Sequence, residues 1–350
     1  MLAVTSHGPQ DVRVEEVDKP KLQESTDAIV RVTTTALCGT DMHIYHGKIP
    51  NVPAGWIVGH EFCGVIEDIG DSITEFEIGD RVVSSMYVAC GRCPACVSGD
   101  HRRCAKFQMF GMGVAFGNLP GGQAEYVRVP LADMTLRGIP DGLSDESTIF
   151  TGDILATAFT ALRQSGIVEG DTIAIVGAGP VGQLIAMCAP IFGAGQTYVI
   201  DVVPERLEEA ARLGAIPINP KEQNPRKLIK DQTAGLMCDA VFEAAGNVPA
   251  METAFSLPRA NGSVVLVGML VDEPFPLSAG DLWLRNTRVI PILGAPFSHR
   301  DELLKLIASG RIDATALITD RLPLSAASAA YAAFDRKELQ KAVFQVGEAG

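Results

Sequence analysis

The sequence predicts an α/β protein in two parts, a β-rich part followed by a doubly wound parallel sheet. Three observations carry this. Residues 1 to about 150 read as short β-branched runs between Gly, Pro and Asp; strand and helix patterns alternate from Asp171; and a glycine turn, G-A-G-P-V-G, follows an apolar strand and opens a helix.

In the first part the runs are V-R-V-E-E-V, A-I-V-R-V-T-T-T, G-V-I-E-D-I-G, R-V-V-S-S and E-Y-V-R-V-P. Apolar and polar residues alternate, as expected of half-buried strands in a largely antiparallel arrangement. The texture changes near Thr151. Strand T-I-A-I-V, a glycine turn, helix Q-L-I-A-M-C-A-P-I-F, strand T-Y-V-I-D and helix P-E-R-L-E-E-A-A-R-L-G-A follow in turn, then strands A-V-F-E-A and S-V-V-L-V-G. Strands alternating with helices require parallel pairing through right-handed crossovers. From Leu293 the alternation stops, leaving an amphipathic helix (D-E-L-L-K-L-I-A-S-G), an alanine-rich helix after Pro323 and a closing strand A-V-F-Q-V.

The chain has 350 residues, enough for about two domains. Its hydrophobic content of 47% and charged content of 20% describe a globular protein with substantial cores. A net charge of -13 would repel phosphate backbones and anionic lipid, which argues against nucleic-acid and membrane partners. Residues 173 to 195, the most apolar region, carry seven Gly or Pro and read as strand plus helix rather than a membrane span. The first residues show no secretory pattern, so the eight cysteines are read as metal ligands and buried thiols of a cytoplasmic protein.

In G-A-G-P-V-G, Gly177 makes the tight turn, Gly179 lets backbone approach a pyrophosphate, and Gly182 allows close packing of helix on strand. Pro180 and Val181 open the helix, whose N-terminal amides bind phosphate. Asp201 ends the next strand, 19 residues after Gly182, where a carboxylate accepts ribose hydroxyls of NAD and repels the 2′-phosphate of NADP. Arg206 lies five residues on, placed to contact the ribose or to neutralise a phosphate. NAD(H) is the expected cofactor, and Gly268 is assigned to the same surface.

Cys90, Cys93, Cys96 and Cys104 form C-x2-C-x2-C-x7-C in a lobe spanning residues 88–106. Four thiolates so spaced close tetrahedrally on Zn²⁺, a structural site; an iron–sulfur cluster calls for a different spacing. A second group lies between Cys38 and Glu61, where C-G-T-D-M-H and G-H-E-F-C-G gather a thiol, imidazoles and carboxylates into 24 residues. Cys38 and His60 supply sulfur and nitrogen, but a catalytic zinc needs three protein ligands. Cys63, Cys188, Cys238 and the acid of T-G-D-I-L-A-T-A are all candidates for the third.

Together, C-G-T-D-M-H, G-H-E-x2-G-x5-G-x2-I at 59 to 73, the four-cysteine lobe and G-A-G-P-V-G resemble the zinc-dependent medium-chain alcohol dehydrogenases over essentially the whole chain. The resemblance implies a GroES-like catalytic domain at residues 1–155, a Rossmann NAD-binding domain at 156–292, and a return to the catalytic domain at 293–350. It implies two Zn²⁺ per chain and, as in tetrameric bacterial members, Asp153 as the third catalytic ligand. By the same resemblance Glu61 is an alternative ligand, Asp41 orients His60, Thr40 and His43 relay the alcohol proton, Thr157 lies beside the nicotinamide, and Lys341 falls near a cofactor phosphate.

The expected activity is reversible oxidation of an alcohol to an aldehyde or ketone with hydride transfer to NAD, by a homotetramer. A polyol or sugar-alcohol dehydrogenase would use the same residues; Trp56, Met86, Phe110 and Trp283, read as pocket-lining, favour an apolar substrate. A non-catalytic nucleotide-binding protein on this fold would be expected to have lost the metal ligands, whereas this chain keeps a full set.

Overall fold

A computed structural model describes residues 1–269 and 278–347. By contacts the chain divides into two compact units, Met1–Asp153 with Ala295–Gly350, and Ile154–Gly294.

The first unit is built on a seven-stranded sheet, ordered Leu136–Gly138, Arg81–Ser84, Phe62–Ile69, Ala28–Ala36, Ala342–Gln345, Asp320–Pro323, with Tyr126–Val129 also pairing Ala28–Ala36. Pairing is antiparallel except between the two C-terminal strands. Ala28–Ala36 is the central strand, almost continuously buried, which fits its Ile, Val and Ala content. Its register positions the chemistry that follows. Thr35 faces Phe62, and Ala36 faces Val343, so the segments leaving these strands at Leu37, Glu61 and Lys341 emerge side by side. Thr35 Oγ1 donates to the Glu61 carbonyl at 2.8 Å and the Leu37 amide to that of Ala342 at 3.0 Å, which fixes all three.

A three-stranded sheet (Asp11–Glu16, Leu2–Gly8, Trp56–Ile57) and a two-stranded ribbon (Tyr87–Val88, Gln108–Met109) complete the β structure of this unit. The ribbon is the base of the cysteine lobe. Helix Pro296–Ala308 anchors nearby: buried Arg300 donates to Ser85 Oγ and to the carbonyls of Thr135 and Met134, and its guanidinium lies 5.2 Å from the Phe297 ring centroid. Phe297 in turn meets Tyr87 edge-on. The helix starts at Pro296, earlier than its amphipathic run suggests, because Pro fits the first helical turn.

The second unit is a six-stranded, wholly parallel sheet in the order Ile216–Ile218, Gln196–Ile200, Thr172–Val176, Cys238–Glu243, Pro258–Leu266, Arg288–Pro291. Helices connect its strands, giving the doubly wound α/β topology expected from the alternation. Strands Thr172–Val176 and Cys238–Glu243 are neighbours although the chain moves to the far edge between them. That pair is the topological switch point, outside whose carboxyl ends such sheets bind ligands.

Candidate active site and metal centres

Cys38 Sγ, a His60 ring nitrogen and an Asp153 carboxylate oxygen lie within 4.8 Å of one another, and all three residues are buried. Asp153 Oδ2 is 3.1 Å from His60 Nε2 and 3.6 Å from Cys38 Sγ. Ligands bound at 2.0–2.3 Å to one tetrahedral ion stand roughly 3.3–3.7 Å apart, so this donor set fits a zinc ion.

Each donor is held by local necessity. Cys38 follows the central strand, and its amide donates to Asp41 Oδ2 at 2.9 Å. His60 precedes strand Phe62–Ile69 and follows Gly59, whose φ is +90°; a Cβ there would lie 2.3 Å from Gln123 Cγ, so only glycine allows the approach. Asp153 ends the turn Ile149–Gly152, which is pressed on strand Arg81–Ser84 by the bond from the Met86 amide to the Gly152 carbonyl at 3.0 Å.

A buried polar layer supports these donors. Asp41 Oδ1 is 3.1 Å from His60 Nδ1, an ionic contact rather than an aligned hydrogen bond. Gln123 Nε2 donates to Asp41 Oδ2 at 3.2 Å and to the Ala36 carbonyl at 3.0 Å, while Tyr331 Oη donates to Gln123 Oε1 at 2.8 Å. Neither Gln123 nor Tyr331 is legible as a site residue in the sequence, since they lie 82 and 290 positions from Asp41 and belong to no motif. Glu61 Oε2 pairs with Lys341 Nζ, which also donates to the Leu37 carbonyl at 3.1 Å, and Glu61 Oε1 is buried without a partner. Lys341, 1% exposed, is thus committed to Glu61 rather than free for a cofactor phosphate; the pairing of its strand with Ala28–Ala36 carries it inward.

Charges in this core compete for protons. Burial pushes the Cys38 thiol up, and Glu61 and Asp153 push it further. Burial opposes the His60 imidazolium, yet Asp41 and Asp153 outweigh it and raise the group well above its ordinary value. Burial raises Glu61 against the opposing Lys341 charge. Burial also works against the Lys341 ammonium, but Glu61 and Cys38 more than offset it. A bound cation would have to displace the protons of Cys38 and His60.

Thr40 precedes the short helix Asp41–Tyr45, which carries His43. His43 Nδ1 is buried without a hydrogen-bond partner, and burial, with Lys48 and His46 nearby, lowers its pKa.

Cys90, Cys93, Cys96 and Cys104 likewise converge, with 3.5 Å between the sulfurs of Cys93 and Cys96. Backbone amides at Arg92 and Cys93 lower Cys90 to about 6, a thiolate at neutral pH. In contrast Cys63, Cys188 and Cys238 are wholly buried among other residues, and burial raises each.

In the second unit the glycine turn has the geometry its motif requires. Gly177 has φ +102°, and a Cβ on Gly182 would lie 1.9 Å from the Gly177 carbonyl oxygen. Gly179 faces open space and caps helix Pro180–Cys188, in which Pro180 and Val181 are the first residues. Asp201 Oδ2 accepts from the Ala178 amide at 2.7 Å and Oδ1 from the Val203 amide at 2.9 Å, with Arg206 Nη1 at 3.9 Å from Oδ2. Gly268 follows strand Pro258–Leu266, and Thr157 lies on helix Ile154–Ser165.

The residues read as pocket-lining have different surroundings. Met86 and Phe110 are core residues, Phe110 edge-on to Phe62; Trp56 is half-buried and donates to the Gly111 carbonyl; Trp283 is 81% exposed. Size and apolarity alone do not separate lining from core or surface. His101 and His299 are buried, His101 against Phe297.

Comparison with known proteins gives two family matches, the alcohol dehydrogenase GroES-like domain over residues 24–141 and zinc-binding dehydrogenase over residues 180–309. A zinc-type alcohol dehydrogenase-like protein of Bacillus subtilis is 32% identical, the match covering 96% of this chain and 97% of that one. Sorbitol dehydrogenase of B. subtilis is 32% identical over 93% of this chain and 90% of its own. Among solved structures, an alcohol dehydrogenase from Thermus sp. ATN1 matches with a TM-score of 0.95 and 40% identity, covering 99% of this chain and 100% of that one. A candidate zinc-binding dehydrogenase from Sinorhizobium meliloti bound to NADP matches at TM-score 0.88 and 28% identity, with 98% of each chain covered.

Because Asp41 touches both His60 and the Cys38 amide, Asp41→Asn is expected to weaken metal binding at Cys38, His60 and Asp153 by about 10–100-fold. Zinc retained per chain during graded chelation checks this; the four-cysteine zinc should persist throughout, and an unchanged chelation profile counts against the role.

Proposed function

Since this chain belongs to the zinc-dependent medium-chain alcohol dehydrogenases and is an oxidoreductase, we propose that it interconverts alcohols with aldehydes or ketones, using NAD(H) and a zinc held by Cys38, His60 and Asp153. The convergence of those three donors in a buried cluster is the observation that carries the reading. A thiolate, a carboxylate and a neutral imidazole would balance the charge of Zn²⁺, and three protein donors leave a tetrahedral position open. Glu61, with Oε1 unpartnered, is available as an alternative ligand. Cys90, Cys93, Cys96 and Cys104 would hold a second, structural zinc with all four positions filled.

When bound, zinc supplies a Lewis acid that lowers the pKa of an alcohol oxygen, and the nicotinamide accepts or returns hydride. The chain's own residues do the remainder. Asp41 fixes the His60 ring so that Nε2 faces the cluster, and Gln123 and Tyr331 fix Asp41. Thr40, two residues after Cys38, offers a hydroxyl to the substrate proton. His43, kept neutral by burial and with a free Nδ1, accepts that proton as a general base.

The preference for NAD over NADP rests on Asp201. Its carboxylate ends strand Gln196–Ile200 and would repel a 2′-phosphate. Arg206 offsets part of that charge, but two backbone amides and one guanidinium hold the carboxylate in place. Thr157, Gly177, Gly179, Pro180, Val181, Gly182 and Gly268 complete the cofactor set. Residues 1–155 with 293–350 would form the catalytic domain and 156–292 the NAD-binding domain.

A second reading, oxidation of polyols, is favoured by the sorbitol dehydrogenase relative and uses the same residues. The Thermus structure, an alcohol dehydrogenase at 40% identity, favours the first reading. No helix among the described residues is long and apolar enough to cross a membrane. Cytoplasmic location and a homotetramer belong to the same proposal. Trp283 and Leu284, 81% and 74% exposed, offer apolar surface that assembly would cover.

Asp153→Ala should lower zinc from about two to about one per chain and abolish turnover, with the cysteine lobe still loaded. Full activity at unchanged zinc content would refute the ligand set. In steady-state assays following NADH absorbance, kcat/KM is expected to be higher with NAD than with NADP, and higher on 1-hexanol or benzyl alcohol than on sorbitol. A preference for NADP removes the Asp201 argument, and a preference for sorbitol moves the enzyme to the polyol class. Light scattering should give about four times the chain mass, and a monomer would end the tetramer proposal.

A further inference from the structure

Glu243 is the last residue of strand Cys238–Glu243, one of the two strands flanking the switch point of the parallel sheet. It is fully buried, and among the described residues no cation pairs with it. Its Oε1 accepts from two consecutive amides, Ala245 at 2.9 Å and Gly246 at 2.8 Å, while Oε2 is buried without a hydrogen-bond partner among the described residues. Burial raises its pKa, with the Gly246 and Ala245 amides opposing that rise.

This carboxylate lies where three loops meet. The turn it holds packs on the glycine turn, since a Cβ on Gly177 would lie 2.8 Å from the Ala245 amide nitrogen. The Ala244 amide donates to the Val176 carbonyl at 2.8 Å, joining the same two loops through backbone. The third loop follows strand Pro258–Leu266: the amides of Val267 and Gly268 donate to the Glu243 carbonyl at 2.8 and 2.9 Å. A Cβ on Gly268 would lie 2.6 Å from Glu243 Oε2 and 2.3 Å from the Gly246 amide nitrogen. The need for glycine at 268 therefore comes from Glu243 and its turn.

We infer that Glu243 is a positioning residue for the cofactor, fixing the Ala245–Gly246 turn as the lip of the switch-point crevice that faces the nicotinamide nucleotide. Doubly wound sheets bind one mononucleotide per half. The strands before the switch point carry Gly177 to Gly182 and Asp201, which suit pyrophosphate and adenosine ribose. Glu243 opens the other half, which leaves the nicotinamide nucleotide to its loops. A buried acid with one oxygen unpartnered is a poor choice for stability, and an apolar residue would avoid its desolvation. What the acid adds is one acceptor for two adjacent amides, which no apolar residue supplies, and hence a turn with one conformation. The inference rests on the nicotinamide cofactor reading.

Glu243→Leu removes the acceptor, whereas Glu243→Gln keeps a carbonyl oxygen for the two amides. Equilibrium dissociation constants for NADH, followed by its own fluorescence, and for AMP, by calorimetry, separate the two halves of the site. Glu243→Leu is expected to bind NADH about tenfold more weakly or worse, with AMP within about twofold of wild type, and Glu243→Gln to stay within about threefold for NADH. Should Glu243→Leu fail to fold by circular dichroism, Gly268→Ala, which crowds the same carboxylate, is expected to give the same split. NADH binding at wild-type strength in a folded variant, or equal weakening of NADH and AMP as a merely structural role would give, overturns the assignment. A wild-type protein that binds neither ligand overturns the cofactor reading instead.

Discussion

The first unit depends on holding several acids in a dry core. Asp41, Glu61 and Asp153 are all buried around Cys38 and His60, and buried Lys341 pairs with Glu61. Like charges so close cannot all remain ionised without compensation, and an unpaired buried charge costs several kcal/mol. Lys341 answers Glu61, and His60 answers Asp41 in part. Cys38 and Asp153 are left with burial and one imidazole between them, and burial with the nearby Glu61 and Asp153 carboxylates pushes the Cys38 thiol up. A divalent cation relieves that excess directly, so the same groups that strain the core are the ones arranged to bind metal.

That arrangement is assembled from the whole length of the unit. Residues 38 to 41 leave the central strand, 60 and 61 enter its neighbour, 153 closes a turn on strand Arg81–Ser84, and 331 and 341 arrive from the C-terminal segment. Strand register does the alignment. A slip of one residue between Ala28–Ala36 and Ala342–Gln345 would turn Lys341 away from Glu61 and leave a carboxylate unpaired in the interior. The tail is therefore part of the electrostatics of the site as well as of its sheet.

Legibility from sequence followed the range of the interaction. Motifs whose chemistry is local could be read directly: the cysteine spacing, the glycine turn between strand and helix, and the strand-helix alternation that sets a parallel sheet. Asp153 was one of several candidates until a family resemblance singled it out, because nothing local ties residue 153 to residues 38 and 60. Gln123, Tyr331 and the true partner of Lys341 were beyond reach for the same reason. Their contacts span 82, 208 and 280 positions and depend on register that no short pattern encodes. The aromatic and Met residues read as pocket lining show the converse limit, since apolar size marks a core as readily as a substrate surface.

At two strand ends the second unit sets a carboxylate on backbone amides, yet to opposite effect. Asp201 accepts one amide on each oxygen and lies beside Arg206, so both of its oxygens are held by partners. Glu243 gathers two amides on a single oxygen and leaves the other in a closed space bounded by Gly268, so its charge is disfavoured and its geometry is what remains useful. Asp153 is a third case, with a thiol and an imidazole for neighbours and no backbone amide on its oxygens among the described residues. Amide donors would have used the lone pairs that a cation requires. Keeping them away from Asp153 leaves a hard oxygen donor carrying the same single charge as a thiolate, which preserves the charge balance of the cluster while shifting its chemistry towards oxygen.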